Sequence, residues 1–245
     1  MNIKLIISYL GTNYCGWQVQ KNAVSIQEKI QDAVQSVFGN RYNVKGCSRT
    51  DRGVHANHFC CCVYTDGKIS IQSEKIPLAL NRFLPDDISV TNAEYVSDLF
   101  HPRYDVKYKE YEYVIWNSAE KNPFLFDRAY HYPKKLDDTV MNDAAKLFIG
   151  KHDFSSFMAS GSGIIDAVRE IYYFDVKRID GKIIINVAAD GFLYNMVRIL
   201  VGTLIEVSEG KIKKDDIKNI IYSKNRKNAG FTAPPQGLYL NKVVY

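Results

Sequence analysis

The sequence predicts an α+β protein of two ferredoxin-like halves, each running strand-helix-strand-strand-helix-strand. Hydrophobic periods of two and of about 3.6 residues follow one another in that order twice along the chain. No linker rich in proline or glycine parts the two copies, since the 245 residues hold only seven prolines and 15 glycines. Hydrophobic residues make up 46% and charged residues 24%, the balance of a chain that buries an ordinary core. The expected architecture is two antiparallel sheets joined side by side around a central cleft. The first domain is expected over residues 1–105 and the second over 106–245. The halves do not align with one another, so the repeat is one of architecture only.

The first half opens with a strand from Asn2 to Leu10, where Ile3, Leu5, Ile7 and Tyr9 alternate with a second set. Gly11 to Gly16 reads as a turn. Ser25-Ile26-Gln27-Glu28 is a capping box, a side-chain acceptor followed three residues later by a carboxylate. Ile26, Ile30, Ala33, Val34 and Val37 then recur at helical spacing, and Gly39 stops the helix. Short strands are expected at Tyr42–Cys47 and His58–Thr65, a helix at Glu74–Phe83 ended by Pro85, and a strand at Ile88–Tyr95.

In the second half, Lys109–Trp116 is a strand with Tyr111, Tyr113 and Ile115 on one face. Val140, Met141, Ala144, Ala145 and Phe148 form the stripe of a helix over Asp137–Phe148. Glu170–Arg178 and Lys182–Ala189 form a hairpin about Asp180-Gly181. Tyr194–Glu206 is a strongly apolar helix, Asp215–Tyr222 a short added one, and Tyr239–Val244 the last strand.

Composition narrows the function. Lys and Arg number 32 against 27 Asp and Glu, a net charge of +5. That excess permits a polyanionic partner without requiring one. No apolar run reaches the roughly 18 residues of a membrane span, and the first residues do not read as a signal peptide. The expected location is therefore the cytoplasm. The cysteines are Cys15, Cys47, Cys60, Cys61 and Cys62. Their odd number argues against a disulfide framework, and they lack the spacing of a zinc site. Three in a row alternate faces of a strand and read as small apolar residues.

Gly46-Cys47-Ser48-Arg49-Thr50-Asp51-Arg52-Gly53-Val54-His55-Ala56 is the segment densest in chemistry. It lies between two strands, at a sheet edge. Asp51 suits a nucleophile or base, Arg49 and Arg52 suit phosphate, and Thr50 suits fixing the carboxylate. The same residues also read as a polar turn with Asp51 paired to a neighbouring arginine.

Arg49-Thr50-Asp51 followed by Gly53-Val54-His55-Ala56 resembles the R-T-D-x-G-V-H motif of the tRNA pseudouridine synthase A (TruA) family. Six further segments resemble that family's blocks, in order. Tyr14-x-Gly16-Trp17-Gln18-x-Gln20 with Ser25-Ile26-Gln27-Glu28 resembles its opening. Leu80-Asn81-x-x-Leu84-Pro85-x-Asp87-Ile88, then Phe100-His101-x-Arg103 with Lys109-x-Tyr111-x-Tyr113-x-Ile115-x-Asn117, resemble the next two. Gly150-x-His152-Asp153-Phe154-x-x-Phe157, Gly191-Phe192-Leu193-x-x-Met196-Val197-Arg198 and Ala233-Pro234-Pro235-x-Gly237-Leu238-Tyr239-Leu240 complete the set.

The resemblance implies the pseudouridine synthase fold and the isomerisation of uridine to pseudouridine in the anticodon stem-loop of tRNA. It implies no cofactor, no metal, no membrane, and a homodimer. By resemblance Asp51 is the catalytic carboxylate, as nucleophile at ribose C1′ or base at C2′, and Arg198 is its ion partner. Tyr111 matches the family's active-site tyrosine and would stack on the uracil. Arg49 would hold the phosphate of the flipped nucleotide, with Thr50 beside it. His55 is expected to hold the loop or touch RNA, and His101 and Arg103 sit where the family contacts tRNA. Three departures flank Asp51: Ser48 stands for a usual Gly, Arg52 for a small residue, and Asn57-His58-Phe59 for Gly-Gln-Val. Two other readings compete, a catalytically silent RNA-binding protein of the same fold and a hydrolase using Asp51 with His55. The second has no nucleophile elbow or metal set in the sequence.

Overall fold

The computed structural model describes every residue except Lys68 and Ser162. Among the described residues the strands are β1 (Asn2–Tyr9), β2 (Asn43–Gly46), β3 (His55–Tyr64), β4 (Ile88–Val96), β5 (Tyr108–Trp116), β6 (Tyr130–His131), β7 (Gly150–Asp153), β8 (Val168–Ile179), β9 (Lys182–Ala189) and β10 (Leu238–Val244). The α-helices are α1 (Ile26–Phe38), α2 (Ile76–Asn81), α3 (Asp138–Lys146), α4 (Met196–Ser208) and α5 (Ile217–Ser223). The protein is mixed α+β and divides into two compact units, Met1–Lys107 with Tyr239–Tyr245, and Tyr108–Leu238.

In the first unit β1 lies between β3 and β4 and is antiparallel to both. β2 pairs with the C-terminal half of β3, Asn43 opposite Tyr64 and Gly46 opposite Cys61. The strand order β4-β1-β3-β2 is the ferredoxin-like one. β10 takes the other end of β3, in parallel, with Tyr239 opposite His55 and Leu240 opposite Ala56. Residues 239–245 therefore group with the first unit rather than with the second domain expected from the sequence. The alternation of buried Leu238 and Leu240 sets a face for the strand; nothing in that alternation names its neighbour.

Helix α1 forms where its caps say it should. The Ser25 hydroxyl accepts from the Glu28 amide at 3.2 Å, and Gly39 ends the helix at φ 78°, a left-handed angle that costs glycine little. Ile26, Ile30, Ala33 and Val34 are buried. α2 is shorter than its periodicity suggests, because Pro77 has no amide to donate and fits only a first turn. A 3-10 turn over Ser73–Lys75 precedes it.

The cysteine triplet is buried on both faces of β3. Cys61 lies opposite Leu5, while Cys60 and Cys62 lie opposite Ile6 and Lys4. That second face is covered by the 97–107 segment and the C-terminal residue. The rings of Phe100 and Tyr245 are 5.1 Å apart, Lys4 Nζ sits 4.7 Å from the Tyr245 centroid, and the Tyr245 hydroxyl donates to Pro102 O at 2.7 Å. Burial pushes the Cys60 and Cys62 thiols up to about 12.

In the second unit the strands run β5-β9-β8-β7, antiparallel throughout, and β6 adds a short parallel pairing to β5. Tyr113, Ile115, Ile183, Ile185, Val187 and Phe174 form one buried face; α3 packs on β8 and against α4. Asp137 caps α3, its carboxylate accepting from the Val140 amide at 3.0 Å. The β8–β9 turn is made by Asp180 at φ 47° and Gly181 at φ 76°, the two positive angles of a type I′ hairpin. α4 is apolar around most of its circumference because it is enclosed, ten of its 13 residues being buried. Among the described residues no helix is long and apolar enough to cross a membrane.

Candidate active site

The segment from Cys47 to Val54 is the connection between β2 and β3, and it is pinned on several sides. At its start the Cys47 amide donates to Cys60 O at 2.9 Å. At its turn the Val54 amide donates to Asp51 O at 3.1 Å, with Gly53 at φ 78° supplying the left-handed position. Thr50 is buried. Its hydroxyl pairs with the Tyr9 hydroxyl at 2.9 Å, and its carbonyl accepts from the Trp17 amide at 3.2 Å.

Two glycines of the β1–α1 connection make this seating possible. A Cβ on Gly11 would stand 2.0 Å from Val54 O, and one on Gly16 would stand 2.3 Å from Thr50 O. Gly16 and Trp17 also serve α1, since their carbonyls accept from the Ile26 and Gln27 amides at 3.1 and 3.0 Å. These are amides that a helix leaves without a partner at its N-terminus. The Trp17 ring stacks on Phe59 at 4.2 Å. Asp51 is thus half-buried on a backbone held from both sides, while Arg49 and Arg52 beside it are exposed.

His55 has no exposed surface. Its Nδ1 accepts from the Gly11 amide at 2.9 Å, and its ring lies 4.7 Å from that of Tyr239. A ring nitrogen that accepts carries no proton, so the imidazole is the neutral tautomer with the proton on Nε2. Of the two roles expected for His55, this placement suits holding the loop and not contact with RNA. It also leaves the Asp51–His55 hydrolase dyad without a free imidazole base at Nδ1.

The second unit carries the other expected residues. Tyr111 lies on β5 opposite Val187, buried, with its ring edge-on to Phe192 at 5.0 Å. Arg198 sits in the first turn of α4, half-buried. Its Nε donates to Ala233 O at 2.7 Å and its Nη1 to Asn195 Oδ1 at 2.8 Å. The Ala233 amide returns a bond to Arg198 O at 3.0 Å. Asn195 takes φ 59°, which asparagine tolerates, and so turns its amide toward Arg198 in place of capping the helix. The Tyr113 hydroxyl donates to Pro234 O at 2.7 Å, so Arg198 and Tyr113 tie down adjacent residues of the Ala233-Pro234-Pro235 segment. Gly202 and Gly230 let the chain just before it cross α4 closely: a Cβ on Gly202 would stand 1.9 Å from Phe231 O.

His101 and Arg103 lie in the segment after β4, in the first unit. The His101 ring stacks on the exposed Tyr104 at 4.3 Å, and Arg103 lies 5.8 Å from the same ring. His101 Nδ1 accepts from the Arg103 amide at 3.2 Å. Burial, then the charge of Lys45, holds His101 below the ordinary histidine value. Among the described residues no group of three or more His, Cys, Asp and Glu is placed to hold a metal ion.

Sequence reasoning passed over Tyr9, Gly11 and Tyr104. Tyr9 and Gly11 sit at the end of an ordinary strand pattern, and only the long-range pairing of Tyr9 with Ala56 brings them to the loop.

A family model described as tRNA pseudouridine synthase matches residues 5–105 and 144–245. The tRNA pseudouridine synthase A of Thermoanaerobacter sp. (strain X514) is 48% identical over 244 residues, covering 100% of this chain and 99% of its own. Those of Acetivibrio thermocellus and Clostridium acetobutylicum are 48% and 45% identical, each covering 100% of this chain and 99% of its own. Among solved structures, a chain in the crystal structure of a Cbf5-Nop10-Gar1 complex aligns over 97% of this chain and 48% of its own. Its identity is 11% and its TM-score 0.39, too distant to bear on the reading. With both units matched by the family model and relatives aligned over essentially their whole lengths, the chain belongs to the tRNA pseudouridine synthase A family.

Proposed function

We propose that this chain isomerises uridine to pseudouridine in the anticodon stem-loop of tRNA, with Asp51 as its catalytic carboxylate. The observation that carries the reading is full-length membership of the family together with a rigidly seated Asp51 loop. The reaction breaks the bond from ribose C1′ to uracil N1, turns the base, and joins C5 to C1′. The C5 proton leaves and N1 gains one, so the product has the composition of the substrate and no redox partner is needed.

In this reading Asp51 acts on the ribose, either attacking C1′ or removing the C2′ proton. The guanidinium of Arg198 pairs with it and keeps it ionised. Tyr111 lies against the uracil, and Arg49, with Thr50 behind it, meets the phosphate of a nucleotide turned out of its stack. His101 and Arg103 meet the tRNA body. The enzyme works as a cytoplasmic homodimer, so that one subunit's site holds the anticodon arm while the other grips the rest. Recognition then rests on shape and phosphate contacts more than on base sequence.

Deuterium at C2′ of the target ribose separates the two roles of Asp51: the rate falls only if the C2′ proton is removed. Light scattering on the active protein tests the dimer, which a fully active monomer would refute. Incubation with unmodified tRNA, followed by chemical labelling of pseudouridine, tests the activity itself. Free uracil would indicate a hydrolase, and binding without product a silent RNA-binding protein.

A further inference from the structure

We propose that Tyr104, seated on the ring of His101, is a stacking site for an unpaired base of the RNA. The proposal rests on the reading that tRNA is the substrate. Tyr104 is 74% exposed. A lone exposed tyrosine is ordinary on a protein surface, but this one belongs to a built platform. Its ring stacks on that of His101, with centroids 4.3 Å and planes 29° apart. His101 is itself held at two points. Its Nδ1 accepts from the Arg103 amide at 3.2 Å, and its own amide donates to Asp105 Oδ2 at 3.0 Å. The tyrosine thus rests on a fixed ring while most of its surface stays open to solvent.

The backbone beneath the platform is anchored from several strands. The Tyr245 hydroxyl donates to Pro102 O at 2.7 Å and the Tyr64 hydroxyl to Phe100 O at 3.3 Å. The Asp105 amide closes the turn on His101 O at 3.2 Å, and the Lys107 amide donates to Val244 O at 2.8 Å. A side chain fixed in advance yet left exposed adds little to the core, and it lowers the ordering cost of binding. Two exposed cations belong to the same surface. The Arg103 guanidinium lies 5.8 Å from the Tyr104 ring. Lys45 Nζ lies 4.9 Å from the Tyr64 ring, near enough for its charge to act on His101. An open aromatic ring beside cations fits a nucleotide, with the base on the ring and the phosphate on the cation. In a duplex the bases already cover one another, so the ring suits an unpaired base.

The test compares Tyr104→Ala, Tyr104→Leu, Tyr104→Phe and Arg103→Ala with the parent protein. Affinities for unmodified tRNA and for a fully paired RNA duplex are measured over a range of salt, with urea unfolding as a check on the fold. Tyr104→Ala and Tyr104→Leu are expected to weaken tRNA binding about 10-fold, with the salt slope, the duplex affinity and the urea midpoint unchanged. Tyr104→Phe should restore what Tyr104→Leu loses, because the ring and not its bulk makes the stack. Arg103→Ala should lower the salt slope by about 1. The proposal is overturned if Tyr104→Ala binds tRNA like the parent protein, or if the duplex loses as much as tRNA. It is also overturned if the salt slope of Tyr104→Ala falls with that of Arg103→Ala, since the ring would then serve only to hold the cation. A change of mass in light scattering with tRNA affinity intact would assign the ring to a protein interface and overturn it too. Pseudouridine formation by the parent protein is measured alongside. If there is none, the underlying reading fails; if the parent protein converts tRNA and Tyr104→Ala binds it as tightly, only the platform falls.

Discussion

Replacing Gly16 by alanine should move the Asp51 loop, and the structure sets the size of the effect. Gly16 has φ 107°, and an added Cβ would stand 2.3 Å from the carbonyl oxygen of Thr50. The angle alone costs an L-residue about 1–2 kcal/mol. The contact is roughly 1 Å inside van der Waals distance, and forcing such an overlap costs about 1–3 kcal/mol. Moving the Thr50 carbonyl aside also breaks its bond from the Trp17 amide, worth about 1 kcal/mol. The sum is about 3–6 kcal/mol of stability, and a displacement near 1 Å at the residue before Asp51 costs about 100-fold in rate. Gly39→Ala is the matched control. It has φ 78° with nothing within 4 Å of the added Cβ, so only the angular cost of about 1–2 kcal/mol remains and turnover stays normal. Urea unfolding and single-turnover conversion of tRNA read both quantities. Equal stability losses for the two variants, with full activity in Gly16→Ala, would refute the reasoning.

Arg198→Ala removes the donors to Ala233 O and Asn195 Oδ1; it should lower stability by about 2–4 kcal/mol and conversion by about 100-fold or more. Arg198→Lys should restore little of either, since one ammonium cannot replace a fork bonded at two points, and an unchanged rate and pH profile would leave Arg198 with a structural role alone. The Lys211 ammonium, then the Tyr132 hydroxyl, hold the Glu209 carboxyl down to about 2 from an ordinary 4.5. Its contribution to stability is therefore complete above about pH 4.5 and lost as the pH falls toward 2; Glu209→Gln should flatten that part of the urea-midpoint profile, and an unaltered profile would exclude it. A thiol reagent at pH 8 should find only half-buried Cys15 in the folded protein and all five cysteines after unfolding; rapid labelling of Cys60 or Cys62 would contradict their burial. Affinity for tRNA should fall steeply between low and moderate salt as phosphate contacts are screened, and indifference to salt would exclude a phosphate-dominated grip.

Local chemistry was the legible part of the sequence. The Ser25–Glu28 cap, the Gly39 stop and the Asp180-Gly181 hairpin each rest on residues adjacent in the chain, and each stands where expected. The triplet at Cys60 was read as strand, and β3 indeed runs through it; that both faces are covered depends on Phe100 and Tyr245, residues far away in sequence. The two-residue strand at Tyr130 and the four-residue strand at Gly150 were missed, because so few residues show no period. Partnership was the least legible feature. Whether Tyr239–Val244 joins one unit or the other is decided by the free end of β3, not by its own pattern. The same holds within the site. The Asp51 motif was visible, but the seat that holds it is made by Tyr9, Gly11, Gly16 and Trp17, and it exists only once β1 and β3 have paired.

The most direct test of the account is the product formed from unmodified tRNA by the parent protein and by Asp51→Asn. The parent protein should convert uridine in the anticodon stem-loop to pseudouridine with no added cofactor and no free uracil. Asp51→Asn should give no product while binding tRNA within several-fold of the parent protein, since phosphate contacts dominate affinity. Release of free uracil by the parent protein, or appreciable pseudouridine from Asp51→Asn, would contradict it.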